Sequence, residues 1–180
     1  MRFVPYFALL LIASGCCKGG DDPAPSPAAS GATSPAAASP AKGGADGLVD
    51  VDLKPLALKI KVPDGGMGAM DMSMGDKKSV TVDVGDGASL NISEAEGDFA
   101  SVKKTYKADT IMFPFKKWVR EDGNTAIELF ESDGKPGYIG LSFREIGGKK
   151  YVCKTTGLAG VASEELAAKQ LKFCDNLAAK

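Results

Sequence analysis

The sequence predicts an α+β domain: an antiparallel sheet of about six to eight strands with a central helix and a C-terminal helix packed on it, stapled by one disulfide. Three observations predict it. Apolar residues alternate with polar ones in short runs bounded by Gly, Asp and Pro. Two other stretches repeat their apolar residues every three or four positions behind a capping residue. Cys153 and Cys174 fall one on a strand pattern and one on a helix pattern.

The first strand is read from Leu56, Leu58, Ile60 and Val62, which alternate with Ala57, Lys59 and Lys61 until Pro63-Asp64-Gly65-Gly66 ends it. Val80, Val82 and Val84 repeat the pattern, Gly85-Asp86-Gly87 turns the chain, and Leu90 and Ile92 resume it as a hairpin. Asp98 ahead of Phe99, Val102 and Tyr106 marks a capped helix. Strands are then expected from Phe115 to Glu121, Thr125 to Glu131, Tyr138 to Ile146 and Lys150 to Thr155, with Gly- and Asp-rich turns between them. Ser163-Glu164-Glu165 opens a last helix that continues to the terminus, with Ala167, Leu171, Cys174 and Ala178 on one side.

Residues 1–15 have a different composition. Arg2 precedes an apolar run from Phe3 to Ile12, too short to span about 30 Å of hydrocarbon as a helix, so it reads as the core of a signal peptide. Ala13-Ser14-Gly15-Cys16 resembles the bacterial lipobox, with Ala13 where Leu is usual. The resemblance implies lipidation at Cys16 and a place in the cell envelope, at the outer membrane if the host has one. Cys17 is read as a spectator, a second exposed thiol or an alternative modification site. Residues 16–47, mostly Ala, Pro, Ser and Gly, carry too little apolar surface to offset ordering entropy and read as a lipid-anchored disordered tether. Residues 48–180 form the domain.

Export places cysteines where pairs are normally bonded, so Cys153 and Cys174 should be linked. The loop they close contributes roughly 3 kcal/mol in the chain-entropy model. The element order, with the opening Leu58-Lys59-Ile60-Lys61-Val62-Pro63, resembles the Mog1/PsbP-like fold. That resemblance implies a role in protein binding or assembly rather than catalysis.

With 22 basic and 23 acidic residues the chain has a formal charge of −1, which offers nothing to draw in nucleic acid. It contains no histidine, so Ser-His-Asp triads, Cys-His dyads and His-ligated zinc sites are excluded within it. The glycine turns do not fit a phosphate loop, and no Gly-x-Ser-x-Gly string occurs. Glu94, Glu96 and Asp98, like Glu121 and Asp122, are read as cap and turn residues, and Lys103-Lys104 and Lys116-Lys117 as solvated faces beside a core Trp118.

Met67, Met70, Met72 and Met74 put four of the six methionines in one short stretch. Soft thioethers bind Cu(I) or Ag(I), and these spacings resemble the methionine motifs of periplasmic copper-handling proteins. A half-buried strand with Asp71 and Ser73 on its wet face needs the same spacing, and packing is the expectation. The expected function is therefore a non-catalytic binding or assembly domain, its partners the membrane through the anchor and an envelope protein. Cu(I) or Ag(I) binding is the alternative. An enzyme is the third class, which a pocket with convergent perturbed titratable groups would revive.

Overall fold

The computed structural model describes residues 47–109, 111–157 and 160–180. Its elements are β1 (Leu48–Leu53), β2 (Leu58–Pro63), β3 (Ala69–Asp71), β4 (Ser79–Gly85), β5 (Ala88–Glu94), α1 (Phe99–Lys107) and β6 (Phe115–Asp122). There follow β7 (Thr125–Ser132), β8 (Lys135–Ile146), β9 (Lys149–Thr156), α2 (Glu164–Leu171) and β10 (Ala178–Ala179).

Two antiparallel sheets form. The larger has seven strands in the order β3-β4-β5-β9-β8-β7-β6, and the smaller has three in the order β1-β2-β10. Each alternating run presents one row to each face of its sheet, so the larger sheet has two cores. On one face Val80, Val82, Leu90, Ile92, Tyr151 and Cys153 are buried with Leu53, Leu58 and Ile60 of the smaller sheet and with Ala167, Leu171 and Cys174. On the other, Ile139, Leu141, Phe143, Phe130 and Val152 pack beneath Val102, Phe99 and Tyr106 of α1.

Both helix starts are capped as their sequences require. Asp98 accepts from the Ser101 backbone N–H at 2.8 Å, and Ser163 accepts from that of Leu166 at 3.2 Å. Gly140 on β8 makes room for α2 against the sheet: a Cβ there would lie 2.8 Å from Leu171 Cγ.

Four features differ from the sequence reading. The last helix stops at Leu171, tightens into a 3-10 turn over Lys172–Asn176, and gives way to β10, which pairs with β2. Trp118 is half-buried against the α1-side core rather than central to it. β1 adds a strand ahead of the expected first one, its Leu48-to-Leu53 register running against Pro63-to-Leu58. Leu56 belongs to a 3-10 turn between them.

Candidate functional site

Cys16, the expected lipidation site, lies outside the described residues, as does Cys17. Cys153 on β9 and Cys174 on the 3-10 turn after α2 are bonded, with Cα atoms 6.1 Å apart, and both are buried. Cα separations of about 5.5 Å, rarely beyond about 7 Å, are what a disulfide needs.

The methionines are not packed. Met67, Met70, Met72 and Met74 are between 50 % and 90 % exposed. β3 is an edge strand whose three residues are all exposed, so its side chains are not buried in either core. The half-buried strand is corrected to an open edge. Its register places Met70 opposite Thr81, and the Met72 N–H donates to the Ser79 carbonyl at 2.8 Å. Met70 and Met72 thus share one face at a separation of about 7 Å. Asp71 Oδ1 accepts from the Ser73 N–H at 2.8 Å, and hydrogen bonding by Ser73 holds that carboxyl below its ordinary value. Met74 closes a turn with Lys77 through paired backbone bonds.

Of the carboxylates read as caps and turns, Asp98 is a cap, whereas Glu94 ends β5 and Glu121 lies within β6, each in an ion pair. Asp98 caps α1, Glu94 lies 3.4 Å from Lys149, and Glu121 pairs with Lys103. Among the described residues two Ser-x-x-Lys spacings occur, but the Ser101 hydroxyl is committed to Asp98, and Ser132 to Lys135 spans the exposed β7–β8 turn.

One group escaped the sequence reading. Glu128 on β7, opposite Trp118 on β6 and Ile139 on β8, is fully buried, and among the described residues neither carboxyl oxygen has a hydrogen-bond partner. Burial, reinforced by the negative charge of Asp109, pushes its pKa from 4.5 up to about 7. Tyr106, above it on α1, is pushed up to about 12 by burial and then by Glu128. Lys154 is lowered by burial, against the pull of Asp109, and stands 5.7 Å from the Tyr106 ring centre. Asp109 also accepts from the backbone N–H groups of Ile111 and Met112 at 3.0 and 3.1 Å, pinning the chain that follows α1. The arrangement can take up or release a proton near neutral pH. Both Glu128 carboxyl oxygens are closed to solvent.

Two clefts open elsewhere. One of about 360 Å³ lies beside α1, with Asp76, Lys77, Glu94, Glu96 and Tyr106 on its walls. A larger one of about 460 Å³ lies between the β4–β5 turn and α2, walled by Val84, Ala88, Val161, Leu166 and Phe173 with Gln170. Among the described residues no helix is long and apolar enough to cross a membrane, and no three His, Cys, Asp or Glu side chains are grouped to hold a metal. Compared with protein-family models, curated proteins and solved structures, the chain matches none.

Proposed function

We propose that the chain is an exported lipoprotein, anchored through Cys16 in the cell envelope, whose folded domain is a non-catalytic binding or assembly module. The buried Cys153–Cys174 bond is the observation that supports it best, because such bonds form and persist in oxidising compartments outside the cytosol. Alanine to glycine at positions 13–15 ahead of Cys16 supplies the small residues that lipid attachment requires. Replacing Cys16→Ser is expected to remove the protein from the acyl-labelled, detergent-extracted fraction. Equal labelling of the variant would move the anchor elsewhere. The binding role is tested by crosslinking in intact cells: one specific envelope protein captured supports it, and turnover of a substrate without any specific partner contradicts it.

The open methionine edge favours a second reading, in which Met67, Met70, Met72 and Met74 take up Cu(I) or Ag(I). Thioethers that are half exposed or more remain available as soft donors. Titration with Ag(I) should show uptake that the combined Met70→Leu, Met72→Leu and Met74→Leu variant loses. Identical uptake by both chains removes the reading.

A further inference from the structure

The charge of the chain is unevenly placed. Residues 99–120 carry Lys103, Lys104, Lys107, Lys116, Lys117 and Arg120 against the single acid Asp109, although the whole chain has a formal charge of −1. Among the described residues outside Met67 to Met74, Ile111 and Met112 of this stretch are the most exposed large apolar side chains, at 88 % and 65 %. They stand on the connection from α1 to β6, whose base is closed where Lys107 Nζ lies 5.7 Å from the centre of the Phe115 ring. Two anchors hold the pair outward. Before it, Asp109 Oδ1 accepts from both of its backbone N–H groups, which also engages the one acid of the stretch. After it, the Phe113 ring meets Phe130 edge on, with centres 4.9 Å apart. Lys104 and Lys107 are exposed, and among the described residues neither is in an ion pair. The half-buried Phe115 and Trp118, 5.1 Å apart, complete the base.

An apolar pair that protrudes among free lysines and half-buried aromatic rings matches what a bilayer interface takes up: apolar side chains enter the acyl boundary, cations meet lipid phosphates, and aromatic rings lie at headgroup level. A fluid surface needs no pocket, and neither cleft of the domain includes Ile111 or Met112. We infer that this tip docks the domain on an anionic phospholipid surface, Ile111 and Met112 entering the boundary and Lys104 and Lys107 meeting phosphates. Charge supplies the orientation. Residues 99–120 are net positive by five, so the rest of the chain is net negative by six, and an anionic surface attracts this face while repelling the remainder. The inference deepens the anchored reading and rests on it, because an anchor at Cys16 keeps a bilayer within reach.

The full chain purified from cells is reconstituted on vesicles of phosphatidylcholine, alone or mixed with phosphatidylglycerol. Sedimentation with the neutral vesicles reads the anchor, and amide hydrogen exchange on mixed against neutral vesicles reads the tip. Exchange is expected to slow at residues 104–117 on the mixed vesicles, less so at high salt, and to stay unchanged at residues 69–94. Replacing Lys104→Gln together with Lys107→Gln should reduce that protection roughly tenfold. Ile111→Ser together with Met112→Ser should reduce it by roughly tenfold or more, and both side chains are exposed, so the fold is retained. Lys77→Gln with Lys78→Gln removes the same charge between β3 and β4, toward the other edge of the larger sheet, and should leave the protection unchanged. A chain that fails to sediment with neutral vesicles yet is protected on mixed ones supports the tip and contradicts the anchor. The inference is overturned by equal exchange on both vesicles, by protection that the serine variant keeps, or by equal losses in the two lysine variants. Protection of residues 104–117 by a captured envelope protein and by neither vesicle would also overturn it, assigning the tip to a protein partner.

Discussion

Glu128 shows how much one side chain can set. A carboxyl whose folded-state pKa is raised favours the fold while protonated, so its stabilising contribution is complete below 4.5 and is lost as the pH rises to about 7. The full excursion is about 3 kcal/mol at about 1.4 kcal/mol per pKa unit. Carboxylates held low by hydrogen bonds, such as Asp98 and Asp109, act with the opposite sign and only at more acidic pH. Glu128→Gln should therefore make stability nearly independent of pH between 5 and 8, while the wild type loses about 3 kcal/mol across that window. Urea unfolding at both pH values checks this, and Trp118, the single tryptophan and the cross-strand neighbour of Glu128, supplies the fluorescence signal. Equal slopes for both proteins would show that the carboxyl is solvated. This residue was not legible in the sequence. A glutamate in a strand reads as part of a wet face, and only knowing that α1 and β8 cover that stretch of β7 turns it inward.

Elements with a uniform alternating face were legible from sequence. The β4–β5 hairpin and strands β6 to β9 fall where apolar alternation and glycine turns place them, and Asp98 marks the start of α1. The remainder depends on partners distant in sequence. The two-residue β10 exists only through pairing with β2, and the methionine spacing carries no record of whether a layer lies above it. β1 does alternate, as Leu48-Val49-Asp50-Val51-Asp52-Leu53, but it directly follows a low-complexity segment that obscured it. Two predictions belong to this scale. Gly140→Ala should destabilise by about 1–3 kcal/mol, because its Cβ would overlap Leu171. Adding Leu171→Ala should recover part of that loss, measured by a double-mutant cycle. Reducing the disulfide should cost roughly 2–4 kcal/mol. It should also release α2 and the turn after it before the larger sheet, as hydrogen exchange in those segments would record. Simultaneous release of β4, β5 and α2 would contradict that order.

On the scale of the whole molecule, each face of the seven-stranded sheet carries its own layer. The smaller sheet and α2 cover one face, and α1 covers part of the other. This leaves β3 and its methionines as an open edge at one side and the larger cleft near the β4–β5 turn. The proposed module binds while held at a membrane, and the disulfide supports the proposal because such bonds persist in oxidising compartments. The central claim therefore joins the bond at Cys153 and Cys174 to an anchor at Cys16. Mass spectrometry of the protein taken from intact cells, without reduction, tests both at once. The account predicts an N-terminal peptide that begins at acylated Cys16, together with a crosslinked Cys153–Cys174 peptide pair. An unacylated chain that retains residues 1–15, with both thiols free to react with an alkylating reagent, would contradict it.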